Sequence, residues 1–156
     1  MNLFDAIPLR YSARSYTTAP LTADQQLQLH KAISVCNKRS GLHAQLVCDQ
    51  PKPFASIIRS YGMLRGVRHF IVLAGKASLP DLEEKCGYFG EQLVLTATAL
   101  GLGTCWVNAA TAFGYGPALQ ELFAPDKGEF VSLVTLGHPD HKPRTPARKP
   151  GRWTIR

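Results

Sequence analysis

The stretch Ala99-Leu-Gly-Leu-Gly-Thr-Cys-Trp-Val107 determines the fold of this chain, because a predicted helix ends in it and a predicted strand begins in it. Upstream, residues 80–100 carry apolar side chains at helical spacing, and the first turn is acidic, as the positive end of a helix dipole favours. The glycines end this helix, and Thr104–Val107 has the apolar character of a short strand. The apolar stripe of the predicted helix consists of Leu82, Cys86, Phe89, Leu93, Val94, Ala97 and Leu100.

Other segments add strands and helices on both sides of this stretch. Arg68–Gly75 is a nearly continuous apolar run, typical of an interior strand, and Glu129–Leu136 is another strand. Thr22 and Gln25 form a capping-box pattern that begins a helix over 23–36. The apolar positions of that helix are Leu27, Ala32, Ile33 and Cys36. Weaker patterns predict a short helix over 2–9, a strand over 43–48, a helix marked by Phe54, Ile57, Ile58 and Tyr61, and a helix over 116–123. Together they indicate an α/β or α+β domain around one sheet.

Length and composition limit the class of protein. The chain has 156 residues, of which 45% are hydrophobic and 19% are charged, which fits one compact domain. The sequence shows no apolar run long enough to cross a bilayer and no signal peptide at its N-terminus. Its four cysteines are too widely spaced for a metal or redox pair, so reduced thiols in the cytoplasm are expected. His138 and His141 are weak evidence for a metal, and no metal site is predicted.

The net charge of +7 belongs mainly to the end of the chain. Residues 142–156 hold six basic side chains and no acidic one, and the rest has twelve basic against eleven acidic residues. This Pro-rich basic tail could be a solvated face, a segment that contacts a phosphate group, or a nucleic-acid contact. Nucleic-acid binding is the least favoured of the three, because the tail lacks interleaved aromatic residues.

Two short motifs carry side chains suited to ligand binding. Arg10, Ser12 and Arg14 occupy alternate positions, so in an extended segment their side chains project to one side. Two guanidinium groups and a hydroxyl group are suited to binding a phosphate dianion. Taken alone, this spacing also fits an exposed loop that contacts only water. Ser40-Gly-Leu-His-Ala-Gln45 places hydrogen-bonding side chains at a strand entrance.

These motifs occur in a fixed order with Ala99–Val107 and with Leu133-Val-Thr-Leu-Gly-His-Pro139, which basic residues follow. In that order they resemble the FMN-dependent nitroreductase family, and in particular its putative or TM-type branch. The resemblance covers about residues 3 to 150. It implies an α+β, nitroreductase-like three-layer fold, in which helices flank a mixed, mostly antiparallel sheet.

The resemblance also implies site residues. Arg10, Ser12 and Arg14 would bind the FMN phosphate and the pyrimidine side of the ring, with Arg14 stabilising the reduced flavin. The later motif, in which His43 stands where the family has Asn, would contact the ribityl chain and the ring. The full implied set for FMN is Arg10, Ser12, Arg14, Ser40, His43, Gln45, Asn108, Ala109, Ala110, Arg148 and Lys149. Arg144 is a close competitor of the basic pair Arg148 and Lys149, and no catalytic residue is named.

The function that the resemblance implies is FMN-dependent oxidation of NAD(P)H coupled to reduction of a nitroaromatic, quinone or similar small aromatic acceptor. Hydride transfer would be ping-pong, in a homodimer with FMN between the subunits and no membrane contact. Residues 1–141 would be the FMN-binding domain, and 142–156 would contribute to the phosphate site or a dimer contact. Two alternatives stay open: a degenerate fold that binds flavin or another phosphate ligand without turnover, and nucleic-acid binding through the tail.

Overall fold

The computed structural model describes residues 2–54, 64–107 and 128–141. Its helices are α1 (Leu3–Ala6), α2 (Ala23–Ser40) and α3 (Leu82–Ala99), and its strands are β1 (Gln45–Val47), β2 (His69–Gly75), β3 (Gly103–Val107) and β4 (Glu129–Gly137). Single 3-10 turns lie at Ile7–Leu9 and Lys52–Phe54. The helix predicted over 116–123 lies outside the described residues, as do Ile57, Ile58 and Tyr61 of the other predicted helix.

Helix α2 begins as its sequence predicts and ends later. The Thr22 hydroxyl accepts a hydrogen bond from the Gln25 N–H at 3.1 Å, and the Gln25 side chain accepts one from the Thr22 N–H at 2.9 Å. The predicted end at residue 36 was wrong, because the helix continues to Ser40, where Gly41 takes the left-handed conformation (φ 77°). Its buried stripe also differs from the predicted one: Leu27 is exposed, and Leu29 is completely buried.

The four strands form an antiparallel sheet in the order β1-β2-β4-β3. All seven residues of β2 are buried, which confirms the predicted interior strand. A parallel bridge joins Ser12 to Thr104, so the chain before α2 lies along the free edge of β3. All three strand pairings are antiparallel, the parallel bridge from Ser12 to Thr104 involves a residue outside the strands, and the α+β class is confirmed.

Each face of the sheet has its own core. Alternate residues of β2 point to opposite faces, as strand geometry requires. Ile71 and Leu73 pack with α2 and α3, through side chains such as Leu29, Ile33, Leu93, Val94 and Ala97. Phe70 and Val72 pack on the other face, where the covering residues include Ala13, Tyr16, Phe54, Leu64 and Val67.

Among the described residues, none of the helices combines the length and apolarity that a bilayer crossing needs. All four cysteines are free, and Cys36, Cys86 and Cys105 are buried. Burial raises the pKa of the Cys86 thiol to about 11, and the charge of Glu83 adds to the shift.

Candidate functional site

The segment that carries Arg10, Ser12 and Arg14 is fixed against β3. The Ala13 N–H donates to the carbonyl of Thr104 at 2.8 Å, next to the bridge that Ser12 makes with the same residue. Ala13 is buried between the flanking polar residues, whereas Ser12 and Arg14 are exposed. The extended backbone therefore alternates as the spacing predicts, with the apolar residue turned into the core and the polar ones turned outward.

The segment also acts on the thiol of Cys105 in β3. Burial raises the pKa of this thiol, while the charge of Arg14, a hydrogen bond with the Ser12 side chain and the charge of Arg10 act in the opposite direction. Ser12 therefore lies against this thiol, and the segment carries two guanidinium groups and a hydroxyl along the β3 edge of the sheet.

A buried tyrosine holds the end of this segment. The Tyr16 hydroxyl donates to the carbonyl of Ala13 at 2.7 Å and lies 2.8 Å from the Thr135 hydroxyl of β4. The Thr135 hydroxyl in turn lies 3.3 Å from the carbonyl of Cys105. Burial raises the pKa of Tyr16 far above its usual range, so the phenol stays neutral. This network ties the Arg10–Arg14 segment to the two strands beside it.

Arg10 has a partner that sequence reasoning missed. Its Nε lies 3.5 Å from Oε1 of Glu91 on α3, and Oε2 of the same carboxylate accepts a hydrogen bond from Nε1 of Trp106 at 2.9 Å. The only sequence signal was a single acidic residue between apolar positions of α3, which gives no hint of a contact with residue 10. The structure brings these three side chains together from three different elements.

Ser40, His43 and Gln45 lie at the other edge of the sheet. The Ser40 hydroxyl donates to the carbonyl of Cys36 at 2.6 Å and accepts from the Leu42 N–H at 3.0 Å, so it closes the end of α2. The His43 N–H donates to the carbonyl of Ala74 at 2.8 Å. Gln45 pairs with Val72 and is half-buried. Its side chain lies on the sheet face away from the helices, because Leu46 and Ala44 face them.

The two groups of predicted residues do not meet within one chain. Gln45 belongs to β1 and Cys105 to β3, and these are the outer strands of the four. Strands in a sheet lie about 4.8 Å apart, so three spacings separate them by roughly 14 Å. Apolar residues of β2 and β4, including Val72 and Leu133, fill the rows between.

Asn108, Ala109, Ala110, Arg144, Arg148 and Lys149 lie outside the described residues. The last described residues still show where the tail begins. The Tyr11 hydroxyl donates to the carbonyl of His141 at 3.3 Å, and the Ser15 hydroxyl donates to Oδ2 of Asp140 at 3.2 Å. The chain therefore enters residues 142–156 beside the Arg10–Arg14 segment.

A cavity of about 420 Å³ opens between the first half of α3 and the ends of β3 and β4. Trp106 forms one wall, and the remaining lining residues are Glu83, Cys86, Gly87, Val131 and Ser132. The volume falls in the range of small-molecule sites. In the part of the chain that the structure describes, no group of three or more His, Cys, Asp or Glu residues could hold a metal ion.

Comparisons with known proteins show the family and the fold of the chain. A family model described as "Putative TM nitroreductase" matches residues 2–154. No curated protein sequence matches the chain.

Several solved structures share the fold over nearly their whole length. A putative NADH dehydrogenase/NAD(P)H nitroreductase from Parabacteroides distasonis aligns with a TM-score of 0.75 at 20% identity, covering 100% of this chain and 98% of that one. A nitroreductase with bound FMN from Bacteroides fragilis gives 0.73 at 18% identity, with 99% and 98% covered. A putative nitroreductase in complex with FMN from Desulfovibrio desulfuricans gives 0.72 at 20% identity, with 100% and 96% covered.

Proposed function

The chain belongs to the putative TM nitroreductase family, and from that premise we propose that it is an FMN-dependent NAD(P)H oxidoreductase. Its acceptors would be nitroaromatics, quinones or similar small aromatic molecules, reduced by ping-pong hydride transfer. The observation that carries the proposal is the Arg10–Arg14 segment, which is bonded to Thr104 at the free edge of β3 with Ser12 and Arg14 exposed. Two structural relatives contain FMN, which supports the choice of cofactor.

The side chains of Arg10, Ser12 and Arg14 fit the phosphate of FMN. A phosphate monoester carries close to two negative charges, and each charge-assisted hydrogen bond from Arg contributes about 1.5–3 kcal/mol. Ser12 adds a neutral donor between the two cations. Because the segment is bonded to β3 and held by Tyr16, the cations are positioned before the ligand arrives, which reduces the entropy cost of binding.

The flavin ring would lie toward the C-terminal end of β3. Asn108, Ala109 and Ala110 follow that strand directly and would offer backbone N–H groups to the ring. The cavity beside Trp106 opens at the same end of β3 and supports space for a ring system there. Arg14 would lie on the pyrimidine side and stabilise negative charge on the reduced ring.

The basic tail would close over the phosphate. Arg148 and Lys149, or Arg144, are the proposed contacts, and residues 142–156 would act with the domain formed by residues 1–141. Support comes from the position of His141, whose carbonyl accepts a hydrogen bond from Tyr11, between Arg10 and Ser12. A tail that begins there needs only a short path to the same anion.

The second group of residues would act across a homodimer. His43 and Gln45 lie at the β1 edge, and the apolar core separates them from the cations at the β3 edge. In this proposal they contact the ribityl chain and ring of an FMN whose phosphate is held by the partner subunit. Ser40 would support them indirectly, because its hydroxyl is already bonded at the end of α2.

Bound FMN would supply the hydride-accepting ring, and the chain would supply position, charge and exclusion of water. No side chain is assigned as a general acid or base. A cytoplasmic location is part of the proposal and is supported by the four free cysteines.

The test begins with the purified protein. We expect a flavin absorption spectrum that NADH or NADPH bleaches under anaerobic conditions and that a nitroaromatic or quinone restores. Bound flavin that neither nicotinamide reduces would identify a binding protein without turnover. A protein that fails to bind FMN at micromolar concentration would overturn the proposal.

Substitutions test the phosphate assignment separately. Arg10→Ala and Arg14→Ala should each weaken FMN binding tenfold or more, on the order of 1.4 kcal/mol. Lys31→Ala, which removes an exposed cation from α2, is the matched control and should leave the affinity unchanged. If Arg10→Ala and Arg14→Ala bind FMN as tightly as Lys31→Ala does, the two arginines do not contribute to the phosphate site.

A further inference from the structure

Glu91 joins the two ends of the proposed flavin site. Its Oε2 accepts the Trp106 indole N–H at 2.9 Å, and its Oε1 lies 3.5 Å from Nε of Arg10. Trp106 lines the cavity at the end of β3, and Arg10 is one of the two cations proposed to bind the phosphate. One carboxylate therefore contacts both a wall of the cavity and a phosphate-binding candidate.

The carboxylate is held in place, unlike a typical surface ion pair. Gly90, the residue before it, lets the indole lie directly against α3, since a Cβ there would be 2.5 Å from Cη2 of Trp106. The indole is half-buried on β3, and its N–H is bonded to Glu91. With Oε2 fixed by a strand residue and the backbone fixed in α3, Oε1 stays directed at Arg10. The side chain is 42% exposed, so water screens its charge only in part.

We propose that Glu91 is the resident counter-ion of Arg10 and competes with the phosphate of bound FMN for that guanidinium group. The inference rests on the proposed function. In the ligand-free protein, Glu91 offsets part of the positive charge of Arg10. A phosphate dianion that binds the Arg10 guanidinium group approaches the Glu91 carboxylate. This carboxylate cannot move away, because its hydrogen bond to Trp106 holds it in place. Glu91 thereby sets how tightly FMN is held and is a specificity-determining residue of the phosphate end.

The competition has a consequence that a purely structural role lacks. Riboflavin has the ring and the ribityl chain of FMN without the phosphate. If Glu91 acts on the phosphate, removing its charge changes the ratio of FMN affinity to riboflavin affinity. If Glu91 only supports the fold, both affinities change together. The charge effect also decreases as salt screens it.

The experiment titrates FMN and riboflavin into the full-length protein, stripped of flavin, and follows the flavin fluorescence. Glu91→Gln removes the charge and keeps an oxygen that can accept the Trp106 N–H. We expect it to tighten FMN binding about three- to tenfold relative to riboflavin at low ionic strength, with a smaller gain at 0.5 M salt. Glu84→Gln is the matched control, because it removes the same charge from an exposed position in the first turn of α3. It should leave the ratio unchanged.

Other results overturn the inference. Weaker FMN binding in Glu91→Gln would show that Glu91 orients Arg10 for the phosphate, and an unchanged FMN-to-riboflavin ratio would show no action on the phosphate. Should Glu91→Gln fail to fold, Glu91→Asp draws the carboxylate back from Arg10 by one methylene and should tighten FMN in the same direction. Failure of the proposed function can be distinguished from failure of this inference, because the wild-type protein would then bind neither FMN nor riboflavin.

Discussion

Close contact with Trp106 explains why position 90 of α3 is a glycine. A Cβ at Gly90 would lie 2.5 Å from Cη2 of the indole and 2.7 Å from Cδ1 of Leu73, both of them held in the sheet. Gly87, one turn earlier on the same helix, has nothing within 4 Å of the corresponding position. Position 90 thus requires a glycine and position 87 does not, although the sequence pattern does not distinguish the two.

Substitution of the two glycines should therefore have opposite effects on stability. Gly90→Ala is expected to lower the free energy of unfolding by about 1–3 kcal/mol, because the added methyl forces Trp106 out of its position. Gly87→Ala is expected to raise it by about 0.5–1 kcal/mol, since alanine favours a helix. Urea unfolding followed by circular dichroism measures both. Similar effects of the two substitutions would contradict the close packing of Trp106 on α3.

The residue scale also shows what spacing alone can predict. The alternation of Arg10, Ser12 and Arg14 predicted that they project to one side, and the burial of Ala13 between the exposed Ser12 and Arg14 agrees with that expectation. The alternation did not predict that the segment lies beside β3, because Thr104 lies about ninety positions later. Glu91 was missed for the same reason: its partners, Arg10 and Trp106, are distant in sequence.

At the scale of the element, β2 contains one polar side chain within a buried strand. His69 is 3% exposed, and its Nδ1 accepts a hydrogen bond from the Asp49 N–H at 3.3 Å. That bond assigns the proton of the neutral ring to Nε2, which has no hydrogen-bond partner in the part of the chain that the structure describes. Burial lowers the pKa of His69, the charge of Asp49 opposes the shift, and the charges of Arg68 and His138 add to it.

The lowered pKa of His69 predicts acid sensitivity. Below about pH 6.5 the unfolded chain binds a proton at this histidine before the folded chain does, so stability is present above that pH and is lost as the pH falls through the folded pKa. The melting temperature of the wild-type protein should fall between pH 7.5 and pH 5. His69→Gln, which keeps an acceptor for the Asp49 N–H and cannot titrate, should lose less over the same range.

A parallel decline of the two proteins would assign the acid sensitivity to other groups. Phe70→Leu is a suitable control, because it alters the neighbouring buried position of β2 without changing any titratable group. It should lower the melting temperature by a similar amount at both pH values.

Element boundaries were less predictable than element types. The apolar run of β2 and the stripe of α3 fixed both types correctly, because a long periodic pattern reports burial directly. The end of α2 was placed four residues early, and Leu27 was assigned to its buried stripe. The helix ends where Gly41 adopts φ 77°, and its buried face depends on where the sheet lies.

At the scale of the whole molecule, the β1 and β3 edges carry different halves of the proposed site. Exposed apolar residues at the N-terminus, with Phe4 81% and Ile7 55% exposed, support a surface that a second subunit could cover. A site completed across two chains predicts that two different defective variants restore FMN binding when they are mixed. A site within a single chain predicts no such recovery.

Complementation between two defective variants tests that arrangement. Arg10→Ala and Gln45→Ala should each weaken FMN binding when pure. In a mixed dimer, the Arg10 of one subunit and the Gln45 of the other are both intact at one of the two sites. Refolding the two variants together should therefore restore tight FMN binding at one of the two sites in each mixed dimer. An FMN titration counts these sites. No recovery at any mixing ratio would indicate that one chain holds the complete site.

The sequence by itself determined the element types, the capped start of α2 and the alternation of Arg10, Ser12 and Arg14, because each depends on neighbours a few residues apart. Only the tertiary structure decided that this segment lies along β3, that Gln45 lies three strands away from Cys105, and that Glu91 links Arg10 to Trp106. The strand order β1-β2-β4-β3 brings together strands that are distant in the chain, and cores cover both faces of the sheet. Such global packing has no local signature in the chain.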